Sequence, residues 1–167
     1  MTLSKVEVQP GSQEQLEKFA SHGFLYAVLD ATGEPAVPAK ALELGIEKAV
    51  SLFAQSRQQD HWKYAPYLLK VDGGLLQWIR QTVWVKPWGI FVMSNTDFVT
   101  VATHLRNLLR VRLKTGQECI FRYYDPRVLV NFLTGCTADE SASFFAHVRA
   151  FGVNENDAVK LLVRAAS

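Results

Sequence analysis

Three short, mostly apolar runs fix much of what this chain can become. They are Phe24 to Leu29, Tyr67 to Val71 and Trp88 to Met93, each bounded by polar or turn-forming residues. Such runs suit strands buried on both faces, because a helix of this kind would need a longer stretch. Between them the period changes. Glu14 to Ala20 reads as a short polar helix. From Pro38, the residues Ala41, Leu44, Gly45, Ala49, Leu52 and Phe53 recur at three and four. That spacing predicts one amphipathic helix with Pro38 in its first turn. Asp72-Gly73-Gly74 turns the chain into another helix, striped by Leu75, Leu76 and Ile79 and bordered by Trp78.

The second half carries stronger local signals. Ser94 and Asp97 make a capping-box-like pair ahead of the stripe Phe98, Val101, Leu105, Leu108 and Leu109. His104, Arg106, Asn107 and Arg110 then fall toward the polar side of that helix. Val111 to Lys114, a Thr115-Gly116 turn and Glu118 to Tyr124 read as an antiparallel hairpin. Asp125-Pro126 is a helix start, with Gly135 as its stop. Thr137 and Glu140 repeat the capping-box spacing ahead of Phe144, Phe145 and Val148. The tail from Val159 to Ala165 suits a strand or a helix. These signals add up to an α/β chain, with α+β as the variant, in which a mixed β-sheet is flanked by helices. At 167 residues, without a repeat or linker, it is expected as a single domain over residues 22–167 behind an N-terminal extension of residues 1–21.

Composition narrows the function. Hydrophobic residues at 49% and charged residues at 20% describe a chain that buries a core. A formal charge of +2 is too small to point to nucleic acid. The polar start lacks the features of a signal peptide, and the apolar runs are too short to cross a bilayer as helices. Cys119 and Cys136 lie outside any CxxC spacing and read as reduced thiols. The expectation is a cytoplasmic protein with no membrane partner.

The search for chemistry finds little. His22, His61, His104 and His147 are far apart, and neither an HExxH, a phosphate-binding glycine loop nor a GxSxG is present. No catalytic residue, metal or cofactor is therefore expected. Glu43 and Glu47 read as a solvated helix face. Asp30, closing a buried run, is a loop cap or, in an α/β enzyme, a catalytic acid. Arg122-Tyr123-Tyr124-Asp125-Pro126-Arg127 is the densest polar and aromatic cluster. Asp125 can cap the next helix while accepting from Arg122 or Arg127, which locks a corner; the alternatives are a recognition surface or a phosphate site. The enzyme reading would use Asp30 and the Arg122 to Asp125 cluster on a phosphorylated substrate. Aromatic residues at 11% include four Trp, and Trp62, Trp84 and Trp88 are the candidate interface anchors, with Arg122 and Arg127 beside them. Lys63, Arg80 and Lys86 frame them too thinly for RNA.

Several of these pieces occur together and in order in one family. Leu25-Tyr26-Ala27-Val28-Leu29-Asp30, Ala65-Pro66-Tyr67-Leu68-Leu69, Trp88-Gly89-Ile90-Phe91 and His104-Leu105-Arg106 lead to Phe121-Arg122-Tyr123-Tyr124-Asp125-Pro126-Arg127-Val128-Leu129. The chain thereby resembles the DUF4123 family, the adaptor chaperones of bacterial type VI secretion, over roughly residues 24–151. The resemblance implies a non-enzymatic protein that binds a toxic effector and promotes its loading onto the VgrG spike or a spike-tip PAAR protein. It marks Asp30, Pro66, Tyr67, Trp88, Gly89, Phe121, Arg122, Tyr123, Tyr124, Asp125 and Pro126 as motif positions.

Overall fold

The three apolar runs become adjacent strands at the middle of one sheet. The computed structural model describes residues 5–53, 61–84 and 86–165. The strands are β1 (Val6–Pro10), β2 (Leu25–Asp30), β3 (Ala49–Ser51), β4 (Pro66–Lys70), β5 (Gly89–Met93), β6 (Arg110–Arg112), β7 (Glu118–Ile120), β8 (Ala150–Glu155) and β9 (Ala158–Arg164). The helices are α1 (Gln13–Ser21), α2 (Ala36–Leu44), α3 (Gly73–Thr82), α4 (Phe98–Leu108), α5 (Pro126–Gly135) and α6 (Ala138–Phe144). Seven strands form one sheet in the order β1-β9-β8-β5-β2-β4-β3, and β6 and β7 form a separate hairpin. Every pairing within the large sheet is antiparallel.

Alternation along the central strands divides the core in two. Leu25, Ala27 and Leu29 of β2, with Phe91 and Met93 of β5, meet Leu16, Val37, Ala41, Leu75, Leu76 and Ile79 from α1, α2 and α3. Tyr26, Val28, Ile90 and Val92 point the other way, against Val101, Leu105, Leu129, Leu133 and Phe144 from α4, α5 and α6. Helices thus cover both faces of an α/β domain, which explains why its central strands have no polar side. Gly89 lets β5 approach β2, since a Cβ there would stand 1.9 Å from the Val28 carbonyl oxygen.

Local differences from the sequence reading have physical causes. The helix expected from Pro38 through Phe53 stops at Leu44, where Gly45 takes a positive φ of 78°. Ala49 to Ser51 then form the edge strand β3. The cap of α4 is Asp97, whose carboxylate accepts from Thr100 N–H at 2.9 Å. Ser94 instead is buried and donates to the His147 carbonyl at 2.5 Å. His104, expected on the polar side, is buried against α6 and contacts the Phe144 carbonyl through Nε2 at 3.0 Å. The strand expected through Tyr124 ends at Ile120, and β9 is a strand. Residues 6–21, expected as part of an extension, supply β1 beside β9 and α1, whose Leu16 and Ala20 lie in the core. The polar stretch from Gln55 to Asp60 lies outside the described residues.

Candidate functional site

One end of the sheet gathers most of the residues singled out by sequence. Register pairs Leu29 with Gly89, Asp30 with Pro66 and Glu155 with Ala158, so the start of β4, β5 and β9 lies beside the finish of β2 and β8. The N-terminus of α5 joins them. An Asp N-cap followed by Pro at the first helical position sets the start of that helix.

Two aspartate–arginine pairs organise this corner. Asp30 accepts from the Thr32 N–H at 2.9 Å through one carboxylate oxygen and from Arg122 Nη2 at 2.8 Å through the other. The Arg122 guanidinium also lies over the Tyr124 ring, 5.6 Å from its centroid. Asp125 accepts the Arg127 backbone N–H at 3.0 Å and is gripped by the same residue's Nε and Nη2, at 3.0 and 2.8 Å. Hydrogen bonds from the Arg127 side chain hold the Asp125 carboxyl below its ordinary pKa. Burial pushes the Tyr124 hydroxyl upward, against the opposing pull of Arg122. Both carboxylates are therefore spoken for by cationic or backbone donors, the arrangement of a locked corner.

The signature segment alternates between core and rim. Tyr123 is fully buried and donates to the Leu105 carbonyl at 2.8 Å, while Phe121 packs edge-on against Phe132 at 4.9 Å. Arg122 and Arg127 remain exposed. Pro66 opens β4, and the hydroxyl of buried Tyr67 donates to the Trp62 carbonyl at 3.0 Å. The tryptophans separate in the same way. Trp84 and Trp88 are 9% and 5% exposed and stack 6.1 Å apart, so both are core residues and not the open anchors expected of them. Trp62 is 47% exposed but lies away from this corner's groove.

That groove, of about 690 Å³, runs between α5 and the β8–β9 turn. The edge of Trp84 forms its floor, Pro87, Pro126 and Val130 line its sides, and Arg127 stands on its rim. Lys86 and Pro87 are shared with a smaller depression of about 280 Å³ that reaches Asp30 and Trp88. The far wall is Asn154 to Asp157, which sequence reading passed over. Asn156 and Asp157 both take positive φ, 52° and 64°, as a two-residue hairpin turn demands. That Asn-Asp pair between apolar segments was the available signal. Asn154 ties the wall to the floor by donating to the Trp84 carbonyl at 3.0 Å. Among the described residues no group of three His, Cys, Asp or Glu is placed to hold a metal, and no helix is long and apolar enough to cross a membrane.

An open groove with an aromatic floor, an apolar side at Pro87, Pro126 and Val130 and a polar far wall is suited to holding a polypeptide segment. No curated protein and no solved structure is a match. The family model described as "Domain of unknown function (DUF4123)" matches residues 25–143, from β2 to nearly the end of α6, and this chain belongs to the DUF4123 family.

Proposed function

We propose that the protein is a non-enzymatic adaptor that binds a type VI secretion effector and promotes its loading onto the VgrG or PAAR spike. The observation that carries this reading is the groove at the signature corner. Its rim is built from Arg127 and its sides from Pro126 and Val130, adjoining the family-like segment, and its floor is aromatic. The arrangement favours holding over reacting. Both aspartates of the corner are engaged by donors, so neither is poised to take a proton from a substrate. In the cell the groove would mask an apolar segment of the effector until the spike receives it. Affinity would come from apolar burial along α5, and orientation from Arg127 and Lys86.

The test is purification of the tagged protein from its native lysate, with mass spectrometry of the retained chains. The adaptor reading expects a toxin-like protein in stoichiometric amount, with VgrG or a PAAR protein in the same fraction. A preparation free of both, from cells shown to make the toxin, would overturn it.

A further inference from the structure

We infer that the β6–β7 hairpin is a strand-addition arm, whose free β6 edge pairs with an extended effector segment alternating apolar and acidic residues. The assignment of the partner as the effector rests on the adaptor reading above. The hairpin residues 110–118 are all exposed. Its ladder fixes which backbone groups are free. Phe121 N–H donates to the Leu109 carbonyl at 2.7 Å and Leu113 N–H to the Gln117 carbonyl at 2.9 Å. With Val111 opposite Cys119, the hydrogen-bonded pairs are the odd-numbered ones. The N–H and C=O of Arg110 and Arg112 consequently point outward, and neither meets a backbone partner among the described residues. Such an edge is a template for another strand.

Side chains specify the strand that fits. Val111 and Leu113 share one face with Cys119, and both are exposed. That face continues into a cleft of about 240 Å³ whose lining includes Val111, Phe121, Phe132 and Phe144. The opposite face carries Arg110, Arg112 and Lys114. Arg112 pairs with Glu118 at 2.9 Å, whereas Arg110 and Lys114 have no acidic partner among the described residues. A strand laid along β6 sets alternate residues on the apolar face, extending the Val111–Leu113 row, and the others beside the cations. Apolar–acidic alternation satisfies both faces. A second copy of the hairpin would set cation against cation, which disfavours self-pairing.

The test uses the full chain and a short fluorescein-labelled peptide alternating valine with glutamate, read by anisotropy. Binding is expected for this peptide and not for one alternating valine with lysine. Arg112→Pro removes an outward N–H without touching the hairpin's own ladder, and should weaken binding about tenfold, or about 1.4 kcal/mol. Arg110→Glu keeps the backbone intact and should weaken it by a few-fold. Hydrogen exchange should slow at the Arg110 and Arg112 amides on binding. Equal binding of the lysine peptide, indifference to both substitutions, or self-association abolished by Arg112→Pro would each overturn the inference. In native lysate, variants that keep the identified effector at the wild-type level refute the arm while the adaptor reading stands. If the wild type retains neither effector nor spike, the adaptor reading falls and with it the effector as occupant; the peptide then decides the edge alone.

Discussion

Replacing Asp125 separates two contributions that meet in one carboxylate, a helix cap and an ion pair. The side chain caps α5 through the Arg127 N–H and also takes two hydrogen bonds from the Arg127 guanidinium. Asp125→Ala removes all of them. Cap loss costs about 1 kcal/mol. The ion pair adds about 0.5 kcal/mol or less, because the Arg127 side chain is 76% exposed and solvent screens it. The sum of roughly 1.5 kcal/mol corresponds to a fall in Tm of about 3–6 °C for a chain of this size. Asp125→Asn keeps a cap acceptor and should lose only about 0.5 kcal/mol. The pH dependence follows from the lowered carboxyl pKa. A carboxylate depressed in the folded state stabilises above its unfolded pKa of about 3.9, and that contribution disappears as pH falls through the folded value. Urea melts of the wild type and both variants should therefore differ at pH 7 and draw together toward pH 3. If Asp125→Asn destabilises as much as Asp125→Ala, the cap is not the main term. If Asp125→Ala melts with the wild type, the locked-corner account is wrong.

Asn131→Trp on the exposed side of α5 should fill the groove and reduce effector capture at least about fivefold with unchanged circular dichroism and Tm, since it alters no core contact. Full capture would take the groove out of the mechanism. Gly89→Ala places a Cβ 1.9 Å from the Val28 carbonyl oxygen in the centre of the sheet and should cost about 3 kcal/mol or more, seen as insoluble expression or a collapsed Tm. Burial lowers the His104 pKa, with the nearby His147 ring adding to the effect against the hydrogen bond to the Phe144 carbonyl. A histidine kept neutral by folding stabilises above its unfolded pKa of about 6.5 and loses that advantage as pH falls, so stability should drop between pH 7 and pH 5. His104→Gln should flatten that slope; an unchanged slope would assign the titration elsewhere.

Features set by neighbouring residues were readable without a structure. The β2 and β5 runs are apolar at every position because helices cover both faces of the sheet. The α5 and α6 starts were readable because caps are local chemistry: Asp125-Pro126 and Thr137 with Glu140 each satisfy N–H groups within one turn. Where the answer depended on distant partners, reading by period failed. Ala49 falls in helical register with Gly45, and Leu52 with Ala49, by coincidence, and only pairing with β4 makes Ala49 to Ser51 a strand. β8 was missed because Gly152 interrupts its apolar run. That glycine sits tightly against the neighbouring strand, where Met93 and Phe91 atoms would lie 3.0 and 3.1 Å from a Cβ. Nothing in the residue types could tell exposed Trp62 from buried Trp84 and Trp88. Of the two signature arginines, Arg127 closes on Asp125 while Arg122 reaches back to Asp30, a partner distant in sequence, and the groove beside them needed β8 and β9, which follow much later in the chain.

The pairing of β1 with β9 has a consequence for the order of assembly. The Ala165 N–H donates to the Lys5 carbonyl at 2.8 Å, so nearly the whole chain separates the two sides of that ladder. On the ribosome β1 emerges before the other strands of the sheet and β9 after them. The central strands and α3 can meet while synthesis continues, but β1 has no neighbouring strand until β9 has been made. Loop-closure entropy makes such a distant pairing slow. The outer strand β1 is thus a clasp that fastens late in folding.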